Sequence, residues 1–292
     1  MVEGLPKGQR VRSMSGGRAH SVVVMEDGKA YGFGSNRQEQ CGGRAEERMR
    51  ARAQRIPGID KVISVKCGLD HTVFLTEEGQ VWTCGWGPDG QLGRTVKAIK
   101  GGETSAVQRV EGELREEKVI RIASSTDYSL ALTEKGEVYA WGNNEYGQCG
   151  LGYKSDREMV GKKVMMTEPV VDMAAGSMVS LLLTQTCRLW SCGYGALGRM
   201  EKKRVLVAPG RVGGIERPKH LSATIDYCGV VDMLGKAYVW GLSGGSKRMG
   251  LGHEENQMEP VMMEFPSRRK GVVVQELVLG GHLSMALCAV PK

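Results

Sequence analysis

Short apolar runs recur along the chain at nearly regular intervals, and each is followed by a polar turn and a second alternating stretch. The runs are Ser21 to Met25 (SVVVM), Thr72 to Thr76 (TVFLT), Ser129 to Thr133 (SLALT), Ser180 to Thr184 (SLLLT) and Gly229 to Met233 (GVVDM). Five residues is strand length, too short for a helix of a globular domain. A turn follows each run, with glycine at its second position in four copies: Gly28, Gly79, Gly136 and Gly235. Such a turn needs positive φ, which glycine adopts without steric cost. The fourth copy has Cys187 there, so its turn is expected to be altered or strained. The next stretch carries an aromatic residue at a fixed place (Tyr31, Trp82, Tyr139, Trp190, Tyr238). Two positions on, and so on the same strand face, come Phe33, Cys84, Trp141, Cys192 and Trp240.

These units are predicted β-hairpins at 16–34, 67–85, 124–142, 175–193 and 223–241, with a partial sixth at 280–290. Their closing glycines stand at 34, 85, 142, 193 and 241, giving steps of 51, 57, 51 and 48 residues. Gly- and Asn-rich segments follow each hairpin (SNRQEQCG, WGPDGQLG, NNEYGQCGLG, YGALG, LSGGSKRMGLG) and turn the chain back. The spacers add further short strands at Val62–Val65, Val119–Ile122, Val170–Met173 and Val274–Val278. About four strands per fifty residues is the content of a propeller blade. The expectation is an all-β propeller filling residues 1–292 as one domain, with five complete repeats and a partial sixth. Only Arg44–Gln54 looks prone to helix, so a helical solenoid fits poorly.

Composition narrows the function classes. The chain is 41% apolar and 25% charged, as in globular proteins, and its 42 glycines belong to the turns just described. Eight cysteines are dispersed without CxxC spacing, which argues against a zinc or redox site and for a reducing compartment. No run approaches the roughly 18 apolar residues of a membrane helix. The first residues lack the apolar core of a secretory signal. The net charge of +7 suits anionic partners such as RNA or acidic protein faces.

Candidate chemistry is sparse. His20 and His71 share a repeat column with Tyr128, Val179, Tyr227 and Leu283. That drift argues for structural roles over metal ligation. Asp70, Asp127 and Asp226 precede this column and are candidates for a binding face near the propeller axis, the alternative being a local turn bond. Nucleophile elbow, phosphate loop and dinucleotide fingerprint are all missing. A non-catalytic binding scaffold is therefore expected, with no cofactor. Basic clusters are the candidate contacts for RNA or partners: Arg44, Arg48, Arg50, Arg52 and Arg55; Lys202, Lys203 and Arg204; Lys247 and Arg248; and Arg268, Arg269 and Lys270. All fall in spacers or loops, where exposure to phosphate is expected.

The recurring pattern G-x-x-H-S, apolar run, G-x-V-Y-x-W-G-x-N-x-x-G-Q-C/L-G resembles the repeat of the Regulator of Chromosome Condensation family over almost the whole chain. Within that family, GRAHSVVV (17–24), CGLDHTVFLTEEGQVWTCGWGPDGQLG (67–93) and GYGALG (193–198) are most similar to its mitochondrial Williams-Beuren syndrome region branch. The resemblance implies a mitochondrial scaffold binding ribosomal RNA and mitoribosome assembly proteins. It also implies, as an alternative, a guanine-nucleotide exchange factor for a small or mitochondrial GTPase, although the β-wedge hairpin of the family's Ran exchange factor has no clear counterpart. A weaker alternative is a nuclear, chromatin-binding propeller. Family rings have seven blades closed by an N-terminal strand, and Met1–Gln9 holds no such strand. The expectations are a smaller or open ring, missing N-terminal sequence, or an edge covered by another chain.

Overall fold

Apart from Met233, which is exposed beyond its strand, the apolar runs of the five complete repeats lie in inner strands hydrogen-bonded on both edges and largely shielded from solvent. The structure is a computed structural model that describes residues 2–43, 47–95, 104–199, 205–265, 273–281 and 283–289. Its strands form five four-stranded antiparallel meanders and one two-stranded sheet, as the repeats lead one to expect. The first sheet holds β1 (Val11–Gly16), β2 (His20–Met25), β3 (Ala30–Ser35) and β4 (Met49–Arg55). The second holds β5 (Val62–Cys67), β6 (His71–Thr76), β7 (Val81–Trp86) and β8 (Thr104–Arg109). The third holds β9 (Val119–Ser124), β10 (Tyr128–Thr133), β11 (Val138–Asn144) and β12 (Ser155–Lys163). The fourth holds β13 (Val170–Ala175), β14 (Val179–Thr184), β15 (Leu189–Tyr194) and β16 (Val205–Val212). The fifth holds β17 (Pro218–Ala223), β18 (Tyr227–Asp232), β19 (Ala237–Gly241) and β20 (Gln257–Met262). β21 (Val273–Leu279) and β22 (Ser284–Ala289) pair alone.

The described residues divide into two compact units, residues 1–145 with 155–164, and 146–154 with 165–292. The first unit contains sheets one to three. Val22, Val24 and Ile56 of the first repeat meet Val65, Phe74 and Cys84 of the second. Val73, Leu75 and Val81 of the second meet Ile122, Ala131 and Trp141 of the third. In the second unit Leu181, Leu189 and Leu197 meet Val230 and Trp240, and Tyr227, Val239 and Met249 meet Val274 and Leu277. Each of these cores lies between successive sheets, so a blade is finished only by its neighbour. Main-chain to side-chain bonds add to this contact: Val65 and Cys67 donate their N–H groups to Ser13 Oγ and Ser15 Oγ at 3.2 and 2.9 Å.

The segment 44–54, which looked helix-prone, contributes strand β4 instead. Its edge bonds to β3, with Tyr31 opposite Arg55 and Gly34 opposite Arg50, and tertiary pairing outweighs the weak local preference. The turn glycines lie at φ 77–78°, and Cys187 is forced to φ 57° at the matching place. A side chain there costs on the order of 1 kcal/mol. Cys187→Gly is therefore expected to raise the unfolding free energy by ~0.5–1 kcal/mol after the added chain entropy is counted, read from a urea titration. A loss of stability would show that this turn carries no strain.

Candidate partner-binding face

One end of each sheet is built from the turn between its first two strands and the glycine that closes its third. The turn is held by a bond between the N–H three residues before the second strand and the first carbonyl of that strand, as in Gly68 to His71 at 2.9 Å and Ser125 to Tyr128 at 3.2 Å. The carbonyls of Ala19, Asp70, Asp127, Met178 and Asp226 accept the N–H after the closing glycine at 2.7–2.9 Å. Those glycines have φ of 96–140°, and a Cβ on Gly34 would fall 2.5 Å from the Ala19 oxygen. In the first unit Arg18 N–H donates to Leu69 O and Leu69 N–H to Thr126 O, at 3.1 and 3.0 Å, and these bonds join successive turns. These bonds fix the backbone of this end, and its side chains are what we take it to offer a partner.

The histidine column is structural. His20 Nε2 meets Thr72 Oγ1 at 3.0 Å, and His71 Nε2 meets Ser124 Oγ and Ser129 Oγ at 3.0 and 3.2 Å. In the second unit the Tyr227 hydroxyl fills the same role, donating to Gly280 O at 2.6 Å. Burial drives His20 down to about 4 and His71 to about 3, so both rings are neutral. Among the described residues no group of three His, Cys, Asp or Glu side chains could hold a metal ion. None of the eight cysteines is in a disulfide, and burial lifts Cys41 to about 11 and Cys67 to about 12, leaving these two as thiols.

In the first unit the loop end gathers carboxylates. Asp70 pairs with Arg18. Gln91 Nε2 reaches Asp127 Oδ1 at 3.5 Å. Asp127 is pushed above the usual carboxylate range by burial and then by the charges of Asp89 and Asp70. Asp89, in the loop Trp-Gly-Pro-Asp-Gly, was not among the sequence candidates. Half-buried Trp86, the residue after the closing glycine, shares this end, and Arg157 borders it through a 2.6 Å bond to Pro88 O. Asp226 differs. In the second unit it is paired with Arg248 at 2.7 Å, and the guanidinium lies 5.0 Å from the centre of the Tyr227 ring.

That pair corrects one expectation about the basic clusters. The Arg248 side chain is only 8% exposed and bonds Gly281 O and Leu242 O at 2.9 and 2.8 Å, so it is a brace. It occupies the loop position held by Gln40, Gln91 and Gln148 in other repeats, whose side chains cap their own loops, as in Asp89 N–H to Gln91 Oε1 at 2.8 Å. Arg50 is a second correction. It is 5% exposed and donates to Cys41 O and Gly42 O at 2.8 and 2.6 Å, because β4 turns it toward the loop of its own blade. Arg48 is exposed. Arg52 and Arg55 are exposed but engaged, with Glu3 at 2.8 Å and Asp60 at 2.7 Å. Lys247 is exposed. Arg44, Lys202, Lys203, Arg204, Arg268, Arg269 and Lys270 lie outside the described residues.

Two further arginines brace their own blades, Arg94 buried and Arg199 partly buried. Arg94 donates to Thr83 Oγ1 and to Ala106 O at 3.1 Å, and Arg199 donates to Ser191 O at 2.8 Å. The recurrence of Leu-Gly-Arg at 92–94 and 197–199 was the available signal.

At the opposite, hairpin-turn end of the blades, charges are matched. Lys61 pairs with Glu78, Lys118 with Glu134 and Lys135 with Glu117, at 2.8–2.9 Å in the first unit, and Arg188 with Glu168 at 2.6 Å in the second. Such exposed pairs add little stability, but they leave few unmet charges for a ligand.

The sequence pattern that defines the RCC1-like domain matches residues 2–287. The RCC1-like G exchanging factor-like protein of Homo sapiens is 30% identical over 278 residues, covering 89% of this chain and 59% of that protein. The guanine nucleotide exchange factor SRM1 of Saccharomyces cerevisiae is 27% identical, covering 97% of this chain and 63% of its own length. The crystal structure of human WBSCR16 superposes with a TM-score of 0.86 at 26% identity, over 99% of this chain and 75% of that one. Yeast RCC1 (Prp20), solved bound to Kap60, superposes with 0.87 at 25% identity, over 98% and 68%. The chain thus spans about three fifths of the length of these curated relatives, and the structural likeness gives its blades the β-propeller fold.

Proposed function

This chain belongs to the RCC1-like domain family, and from that premise we propose that it is a non-catalytic propeller scaffold whose loop end binds a small GTPase and promotes exchange of its guanine nucleotide. The carrying observation is the carboxylate group of Asp70, Asp89 and Asp127 beside Trp86, on a backbone with no conformational freedom to spare. Of the three, Asp70 is ion-paired with the Arg18 guanidinium. After burial, the charges of Asp89 and Asp70 are what hold the Asp127 carboxyl above its usual range. Such a surface repels phosphate and favours a basic protein face. Two relatives bear names that describe guanine-nucleotide exchange, which supports the choice of a GTPase. The test is release of fluorescent GDP from a panel of purified small GTPases. At least one is expected to respond by tenfold or more, on the order of 1.4 kcal/mol, and Asp70→Asn with Asp127→Asn is expected to remove most of that gain. A silent panel, or full activity in the double variant, contradicts the reading.

A second reading keeps the chain in mitochondria, bound to ribosomal RNA and mitoribosome assembly proteins. It is supported by the net charge of +7 and by Arg48, Arg52 and Arg55 on and beside the exposed edge strand β4. Their weak surface pairs could exchange carboxylate for phosphate. The readout is salt-dependent binding of ribosomal RNA, lost in Arg48→Glu with Arg52→Glu; Arg50 is left untouched because it braces the fold.

A further inference from the structure

The hairpin turns of the second and third repeats share one arrangement of charge. A lysine ahead of the first strand accepts, at its carbonyl, the N–H of the first turn residue: Lys61 O from Glu77 at 2.9 Å and Lys118 O from Glu134 at 3.0 Å. Its ammonium pairs with a carboxylate of the same turn, Lys61 with Glu78 and Lys118 with Glu134. In the first repeat Lys29, just past the turn, pairs with Asp27 at 2.8 Å.

The fifth repeat keeps this backbone and its cations but not the carboxylates. Met233 N–H donates to Arg217 O at 3.0 Å, and Arg217 has φ 49° where Lys61 has 54°. Lys236 O accepts the Asp232 N–H at 2.9 Å, as Lys29 O accepts that of Met25 at 3.0 Å. The turn residues themselves are Met233 and Leu234, where the other repeats have Glu26-Asp27, Glu77-Glu78, Glu134-Lys135 and Gln185-Thr186. These two side chains are 51% and 66% exposed. The turn does not need them, because buried Asp232 holds it through Oδ1, which accepts the Leu234 and Lys236 N–H groups at 2.8 and 2.9 Å. In the sixth repeat the column of Lys61 and Arg217 holds Val273, which lies against Gly235 of this same turn, so that place is apolar too. Among the described residues Arg217 and Lys236 have no carboxylate partner. The exposed charges of the two segments are Glu216 against Arg217, Lys219 and Lys236.

We propose that this turn is a contact for an anionic lipid surface, with Met233 and Leu234 entering the acyl boundary while Arg217 and Lys236 meet lipid phosphates. An apolar tip beside uncompensated cations complements a ligand that is negative outside and hydrocarbon beneath. Carboxylates in the matching columns of the first three repeats would be repelled by such a surface, and only the fifth turn has shed them while keeping its cations. A protein partner fits less well. Two side chains at the tip of a tight turn bury far less than the roughly 1,200 Å² of a stable protein interface. At a bilayer, by contrast, each cation near anionic headgroups is worth about fivefold in binding, and burying a leucine or methionine about tenfold. The contact uses neither the carboxylates of the proposed partner-binding face nor a GTPase.

The test is flotation of the full chain with vesicles of phosphatidylcholine alone, and of phosphatidylcholine and phosphatidylglycerol in equal parts. Salt-sensitive binding to the mixed vesicles is expected, with little to the neutral ones. Met233→Gln with Leu234→Thr gives the fifth turn the residues of the fourth, Gln185-Thr186, and leaves the formal charge unchanged. It should weaken binding to the mixed vesicles by about tenfold or more. Arg217→Gln with Lys236→Gln, the latter matching Gln80 of the second repeat, should weaken it by about tenfold or more as well. Leu234→Phe should retain or strengthen it, and thermal unfolding of all three variants should match the parent. No binding at millimolar mixed lipid overturns the proposal. Binding that survives Met233→Gln with Leu234→Thr overturns it too, because charge alone then holds the lipid. So does a dimer that this apolar variant dissociates while the vesicles stay bare, since a second copy then covers the turn.

Discussion

Acidification from pH 7 to pH 4 should destabilise the protein steeply, and His71→Tyr should remove about half of that slope. His20 and His71 are neutral in the fold, at about 4 and about 3, against an ordinary value of 6.5. As pH falls below about 6.5 the unfolded chain takes up protons that the folded chain refuses, so folding free energy is lost until the folded values are reached. A tenfold difference in proton affinity between the folded and unfolded chain is about 1.4 kcal/mol. His20 thus contributes on the order of 3 kcal/mol of acid sensitivity at full extent and His71 somewhat more, a large share of a typical stability. Asp127 acts with the opposite sign. Its ionisation is disfavoured in the fold, so it costs stability at neutral pH and returns some as it protonates. Tyrosine occupies the histidine column at Tyr128 and Tyr227, so His71→Tyr keeps a polar ring there and removes the titration. Urea midpoints at pH 7, 5.5 and 4.5 should spread about half as far for this variant as for the parent, because His20 still titrates. Parallel curves for the two would mean that His71 takes up its proton equally readily in the folded and unfolded chain.

Arg50→Glu is expected to cost about 3–5 kcal/mol, whereas Arg48→Glu, two residues away, should stay within about 0.5 kcal/mol. Arg50 supplies charge-assisted bonds to the Cys41 and Gly42 carbonyls. A carboxylate in its place would be buried facing oxygen atoms, with no donor to meet it. Thermal unfolding of the two single variants checks this directly. Equal and small effects would mean that Arg50 is free for ligand after all, and the basic-cluster reading of β4 would regain its full width.

This contrast marks where the sequence stops being legible. The hairpins, their positive-φ turns and the columns of aromatics could be read because the same residue types recur at the same offsets, and both neighbours bury the central strands. The outer strands β4, β12 and β20 could not, because an exposed edge needs charge more than it needs alternation. Their polar sequences look like linkers. A charged residue on such a strand is equally consistent with solvent and with a brace, and only the loop that β4 meets turns Arg50 inward and Arg52 outward. Arg248 is a similar case. It stands in the column of Gln40, Gln91 and Gln148, but in a Gly- and Lys-rich loop it reads as an exposed basic residue, and only its bonds to Gly281 O and Leu242 O show the brace. Asp70 and Asp127 stood out by recurrence. Asp89 does not recur, so its place beside them is a consequence of neighbouring blades that no local pattern encodes.

Hydrogen exchange on the chain, alone and with the GTPase that responds in the release assay, tests the proposed binding face most directly. Protection confined to the loop-end segments 68–71, 86–91 and 125–128, with the hairpin turns at 26–29, 77–80 and 134–137 unchanged, is the predicted footprint. Protection of the hairpin turns with the loop ends unaltered would contradict it and move the partner to the face whose charges are already matched.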